Sequence, residues 1–226
     1  MKIDRVHCLF EQSGTFKKEF AKFNLVAYDY DICNDFKQTD FCLDLFNEIN
    51  LAYLGQRSVF DRFTPGDLLI AFFPCVRFES QILLHIKGNA CHVKDWSLEE
   101  KLRYSMRLMD DVIDYYMLIS KLVIVCLRRN LRLIIENPYS SQHFLTRYWP
   151  IKPSVVDVDR SLFGDDFKKP TQYWFINCVP ENNITFGTVF DINKDLKKIE
   201  KCSTVERSMI SPTYAYNFIR DFIITK

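Results

Sequence analysis

The sequence has no long hydrophobic run. Apolar stretches such as Leu122–Leu127 stop far short of the ~20 residues that a bilayer-spanning helix needs, and the opening MKIDRVHCLFEQ carries no signal-peptide pattern. A cytoplasmic protein with no membrane partner is therefore expected. Charge of one sign is also missing: 30 Lys and Arg stand against 29 Asp and Glu. That balance excludes a globally basic nucleic-acid binder, so any nucleic-acid face has to be local. The local candidates are Arg128, Arg129 and Arg132, and Lys168 with Lys169. CxxC pairs are absent as well. The eight cysteines (Cys8, Cys33, Cys42, Cys75, Cys91, Cys126, Cys178 and Cys202) are scattered, several inside apolar runs. This argues for reduced thiols and against a disulfide framework. Cys91-His92 with nearby His85 matches no zinc spacing, so no metal is expected. There are no internal repeats and no low-complexity tract.

What is there is a 226-residue chain, 48% hydrophobic, with 20 Phe and 11 Tyr. That length suits a single domain over residues 1–226. Val6–Phe10 reads as a strand, Phe16–Phe23 as a helix, and Leu25–Tyr28 as a second strand running into Asp29-Tyr30-Asp31. Strand, turn, helix, strand, acid is the opening of a nucleotide-binding βαβ unit. Phe41–Leu54 reads as a helix. Leu68–Phe73, apolar on both faces, reads as a central parallel strand ending at Pro74-Cys75. Ser97 with Glu100 makes a capping box for a pattern reaching Arg129, either one helix or two with a break. Leu131–Ile135, Val155–Val158 and Tyr173–Cys178 read as further strands, and Ser211–Ile224 as a closing helix. Residues 180–201 form the most polar, loop-like stretch. The alternation predicts an α/β fold with a mostly parallel sheet, its reactive-looking residues at the carboxyl ends of strands.

Two of those residues carry a chemical hypothesis. Cys75 follows Pro74 at a strand end, where a thiol would face the ligand edge, and thiolates are strong nucleophiles. Glu136 directly follows the apolar LRLII and needs a partner if buried. A thiol beside a carboxyl group is the pairing that attacks a pyrimidine ring: sulfur adds at carbon 6 while the acid engages N3.

The order FEQSGTF, AYDYD, FFPC, IENP resembles the motif order of DNA cytosine (carbon-5) methyltransferases. FGDDFKKPTQYWFIN and RSMISPTYAYNFI resemble later segments of compact phage-type members. The resemblance implies a Rossmann-like, S-adenosylmethionine-dependent methyltransferase fold acting on DNA, with a specificity-conferring partner if no recognition domain is present. It implies that Phe10, Ser13, Gly14, Thr15 and Pro74 surround the cofactor. Asp29, favoured over Asp31, would take the ribose hydroxyls, and Asp40 the adenine. Cys75 would be the nucleophile and Glu136 the acid, with Asn137 orienting the loop. Arg77, Tyr139, Arg160, Lys168 and Lys169 would meet the flipped base or its phosphates. The chain departs from the family at Glu11-Gln12, where small residues are usual, at Val76 after Pro-Cys, and at Pro138 after Glu-Asn. It shows no Gln-x-Arg-x-Arg pattern, and residues 180–201 would be at most a reduced recognition insert. These departures leave two alternatives: a catalytically inactive binding or regulatory protein of the same fold, and another pyrimidine-modifying enzyme.

Overall fold

The computed structural model describes residues 2–183, 202–203, 206 and 208–225. Strands β1 (Val6–Leu9), β2 (Ala27–Asp31), β3 (Phe41–Cys42), β4 (Leu68–Phe72) and β5 (Arg132–Pro138) run parallel. β7 (Thr171–Ile176) runs antiparallel between β5 and β6 (Val155–Asp157). The seven-stranded order is β3-β2-β1-β4-β5-β7-β6. The chain thus winds outward from β1 in both directions, which leaves a switch point between β1 and β4, the place where open α/β sheets bind ligands.

Period-two alternation sends apolar side chains to both faces of the central strands. Leu69 and Ala71 of β4, with Leu133 and Ile135 of β5, pack against α2 (Leu45–Tyr53) and the carboxyl half of α4 (Leu98–Arg128). Leu68, Ile70 and Ile134 point the other way, onto α1 (Thr15–Ala21) and α6 (Pro212–Phe222). Two short helices, α3 (Gln81–Ile86) and α5 (Phe144–Tyr148), complete the cover.

Several boundaries differ from the sequence reading. The helix expected over Phe41–Leu54 starts only at Leu45, because Phe41 and Cys42 pair with Tyr30 and Asp31 as β3. Asp44 then caps α2, accepting from the amides of Phe46 and Asn47. The long pattern is one unbroken helix, α4, started by the Ser97–Glu100 capping box. β5 continues through Glu136, Asn137 and Pro138, because β7 pairs with it to its tip. Helices α3 and α5 and the 3-10 turns Val59–Arg62 and Arg160–Phe163 have no counterpart in the sequence reading, being too short for a periodic signal. Of the polar stretch 180–201, residues 184–201 lie outside the described residues. Among the described residues no helix is long and apolar enough to cross a membrane, and all eight cysteines are free.

Candidate functional site

A two-lobed cleft opens at the switch point, above the carboxyl ends of β1 and β4. The larger lobe, about 270 Å³, is lined by the Phe10–Thr15 loop (with the exception of Gly14), by Pro74 and Cys75 beyond β4, by Glu136 and Pro138 of β5, and by Arg160 and Lys169. The smaller, about 220 Å³, is lined by Phe10, Asp31, Ile32, Asp44, Leu45, Phe46, Phe72 and Pro74. Phe10, Asp31, Phe72 and Pro74 are walls of both.

The loop after β1 owes its shape to two left-handed residues, Phe10 (φ 61°) and Gly14 (φ 66°). A Cβ on Gly14 would meet Asp29 Oδ2 and Gln38 Cβ, each at 3.3 Å, so glycine suits both the angle and the space. Gly14 cannot cap α1 with a side chain, and Glu11 does so in its place, its Oε1 accepting the Phe16 amide at 2.8 Å. Glu11 is buried, and its Oε2 has no hydrogen-bond partner. Burial pushes its carboxyl group up to about 7, against the pull of the Phe16 amide. Rossmann folds use the start of this helix to hold phosphate. Here a protein carboxyl group already engages it, which disfavours a dinucleotide pyrophosphate at that spot.

The acids of β2 and of the segment that follows it divide differently from expectation. Asp29, favoured for the ribose, is fully buried beneath the loop and bonded to Lys17 Nζ at 2.6 Å. Lys17 also holds Asp40 at 3.0 Å, and the Asp29 amide donates to Asp40 Oδ2. Burial raises Asp29, and its contact with Asp40 adds to the rise. Asp29 and Asp40 are thus a structural cluster that lines neither lobe, because the Lys17 ammonium binds both and the loop at Gly14 lies directly over Asp29. Asp31, one pleat further, lines both lobes. Asp44, which sequence reasoning treats only as part of a helix, lines the smaller lobe while capping α2. The signal that could have found it is its position directly after a short third strand. Phe46 escapes the sequence reading for the same reason, and Ile32 because it is a lone apolar residue just beyond β2.

Cys75 and Glu136 line the same lobe. β4 and β5 pair with Phe72 opposite Glu136, so the Phe73-Pro74-Cys75 exit of one strand rises beside the acid of the other. Asn137 staples the two: its buried amide donates to the Phe73 carbonyl at 2.7 Å. Thr171, delivered by antiparallel β7, bonds the Glu136 carboxyl group through its hydroxyl. The Cys75 loop closes by a Phe78 N–H to Cys75 carbonyl bond of 2.8 Å, and this brings Glu79 over the thiol, which donates to Glu79 Oε1 at 3.2 Å. Burial first, and then the neighbouring Glu79 carboxylate, push the thiol up to about 12, with Lys169 opposing.

The expected nucleic-acid contacts scatter. Lys169 lines the cleft near Cys75. Lys168 is exposed, 3.5 Å from Asp159. Arg77 reaches Asp111 of α4 at 2.7 Å and so ties down the Cys75 loop. Tyr139 is half-buried beyond β5, its amide bonded to the Pro170 carbonyl. Arg160 does not reach a surface: it is 1% exposed, pairs with equally buried Asp165 at 2.7 Å and lies over the Tyr214 ring. The buried pair makes Arg160 a wall of the cleft rather than a phosphate contact. Arg128, Arg129 and Arg132 sit where α4 turns into the start of β5, at the opposite edge of the sheet from the cleft. Among the described residues no group of three or more His, Cys, Asp or Glu could hold a metal ion.

Set against known proteins, the chain matches no protein-family model, and the search of curated proteins finds no significant match.

Proposed function

We propose that the protein binds S-adenosylmethionine in the two-lobed cleft and methylates cytosine at carbon 5 in DNA, with Cys75 as nucleophile. The observation that carries this reading is that Cys75 and Glu136 share a lobe with the loop after β1. The cofactor fits the residues present. It combines a nucleoside with an amino acid and has no phosphate, which suits a cleft whose α1 amide is already engaged by Glu11. Asp31 would accept from the ribose hydroxyls and Asp44 from the adenine amino group, between the apolar walls Ile32 and Phe46. The unpartnered Oε2 of buried Glu11 suits the ammonium group at the other end.

When bound, the cofactor supplies an electrophilic methyl group. The chain's own residues do the rest. Glu79 takes the proton of Cys75, and the thiolate adds to carbon 6 of a base flipped into the larger lobe. Glu136 engages N3, held by Thr171. Carbon 5, made nucleophilic by that addition, would take the methyl group; its proton then passes to solvent water, the carbon 6–sulfur bond breaks to restore the ring, and Glu79 returns its proton to the sulfur. Lys169 favours the thiolate by its charge.

A trapped covalent adduct with an oligonucleotide containing 5-fluorocytosine, dependent on S-adenosylmethionine and lost in Cys75→Ala, is the expected result. Cofactor binding without any adduct would instead favour a second reading, a binding protein of the same fold with no chemistry. The hold of Glu79 on the thiol is the observation on that side.

A further inference from the structure

The amino-terminal two-thirds of α4 carries an apolar stripe that faces solvent. Leu98, Leu102, Met106, Met109, Ile113 and Met117 are 40 to 73% exposed, although Leu108 and Val112 between them are buried against α3. At 100° per residue the six fall within about 100° of arc, a continuous seam along the helix. A soluble surface rarely leaves so long an apolar row open.

The seam is self-complementary. Reversing the helix about a point between Arg107 and Leu108 brings Leu98 onto Met117, Leu102 onto Ile113, and Met106 onto Met109. The charges along its polar flank obey the same operation. The reversal carries Arg103 to a position between Asp110 and Asp114, so a cation on one helix would meet two carboxylates on the other. Among the described residues Arg103 has only the exposed Glu99 as ion-pair partner, 2.7 Å away on its own helix. A two-fold interface needs this arrangement, each half meeting its own complement.

We propose that the chain forms a two-fold homodimer in which the α4 helices of two copies pack antiparallel along this stripe. The three methionines give the seam the adaptable, polarisable side chains suited to such packing. The dimer does not depend on the catalytic reading of the cleft, which lies on other elements.

Sedimentation of the full chain tests it. A mass of about 54 kDa is expected, twice the 26.9 kDa of one chain. Met106→Glu combined with Met109→Glu, both at exposed positions, should return the mass to 26.9 kDa with the circular-dichroism spectrum unchanged. Register is tested by charge exchange. Arg103→Asp and the pair Asp110→Arg, Asp114→Arg should each weaken self-association, and the two variants should associate when mixed. A monomeric wild type, a dimer indifferent to the two glutamates, or variants that fail to pair on mixing would each overturn the proposal. So would a monomer that binds lipid vesicles through the stripe.

Discussion

Cys75 donates its thiol to Glu79 across 3.2 Å, within a turn closed by the Phe78 amide. The proposed nucleophile therefore has a proton acceptor from its own loop, and at rest that acceptor favours the protonated form.

Removing the charge should free the thiolate. In Glu79→Gln the Cys75 pKa is expected to fall, raising its rate of alkylation by iodoacetamide at pH 8 by roughly threefold per unit of fall, the tenfold gain in thiolate being partly offset by its lower nucleophilicity. Peptide mass spectrometry across pH, with Cys75→Ala to identify the signal, measures it. An unaltered pH profile would remove Glu79 from the scheme.

Asp31 and Asp29 should separate ligand binding from stability. Asp31→Asn is expected to weaken binding of S-adenosylmethionine or its demethylated product by about 1.5–3 kcal/mol, the value of a hydrogen bond to a charged group. It should leave the ligand-free protein nearly as stable. Asp29→Asn removes the shorter of the two ion pairs of Lys17, leaving Asp40, and is expected to lower the melting temperature instead. Calorimetric titration and thermal melts of the two variants decide the matter, and the opposite pattern would restore Asp29 as the ligand contact.

Glu11 predicts a pH signature. Its folded pKa of about 7 lies above the ordinary 4.5, so its contribution to stability is complete below pH 4.5 and disappears as pH rises through 7. Across that window the loss amounts to about 3 kcal/mol at most. Buried His7 and His143, depressed to about 4 by burial, act in the other direction: their contribution is present above pH 6.5 and is lost as pH falls through 4. The difference between wild type and Glu11→Gln in urea midpoints at pH 5 and pH 8 isolates Glu11. The variant should gain relative stability at the higher pH.

Arg160 should matter to folding rather than to DNA. Arg160→Leu leaves Asp165 uncompensated inside the protein, at a cost of about 3–5 kcal/mol. Lys168→Ala, at an exposed site, should change stability by less than ~0.5 kcal/mol. Equilibrium denaturation compares them.

Much of the architecture is legible in the sequence because its signals are strong. A fully apolar β4, capping residues at Ser97, and acids or proline at strand ends all follow from burial and backbone chemistry. The meeting of Cys75 with Glu136 is legible too, since parallel neighbours bring their carboxyl ends together. Side-chain direction is not. Asp29 and Asp31 share one face of β2, so choosing between them requires knowing how far the Gly14 loop and Lys17 cover the strand, and separating Asp40 from Asp44 requires a two-residue strand with no period of its own. Arg160 reads as surface charge because its partner, Asp165, lies beyond a 3-10 turn that leaves no periodic signal.

The antiparallel ladder between β5 and β7 makes the two walls of the cleft unequal. Backbone pairing braces Glu136 to the end of its strand, with Tyr173 opposite, whereas Cys75 stands three residues past the last paired position of β4. One jaw is held by backbone pairing and the other by side chains and a turn, through the Asn137–Phe73 bond and the Arg77–Asp111 ion pair. Under the proposed reaction, the placement of the acid is thus inherited from the sheet and that of the sulfur from α4, so a change as distant as Asp111 would reach the thiol while leaving Glu136 where it is.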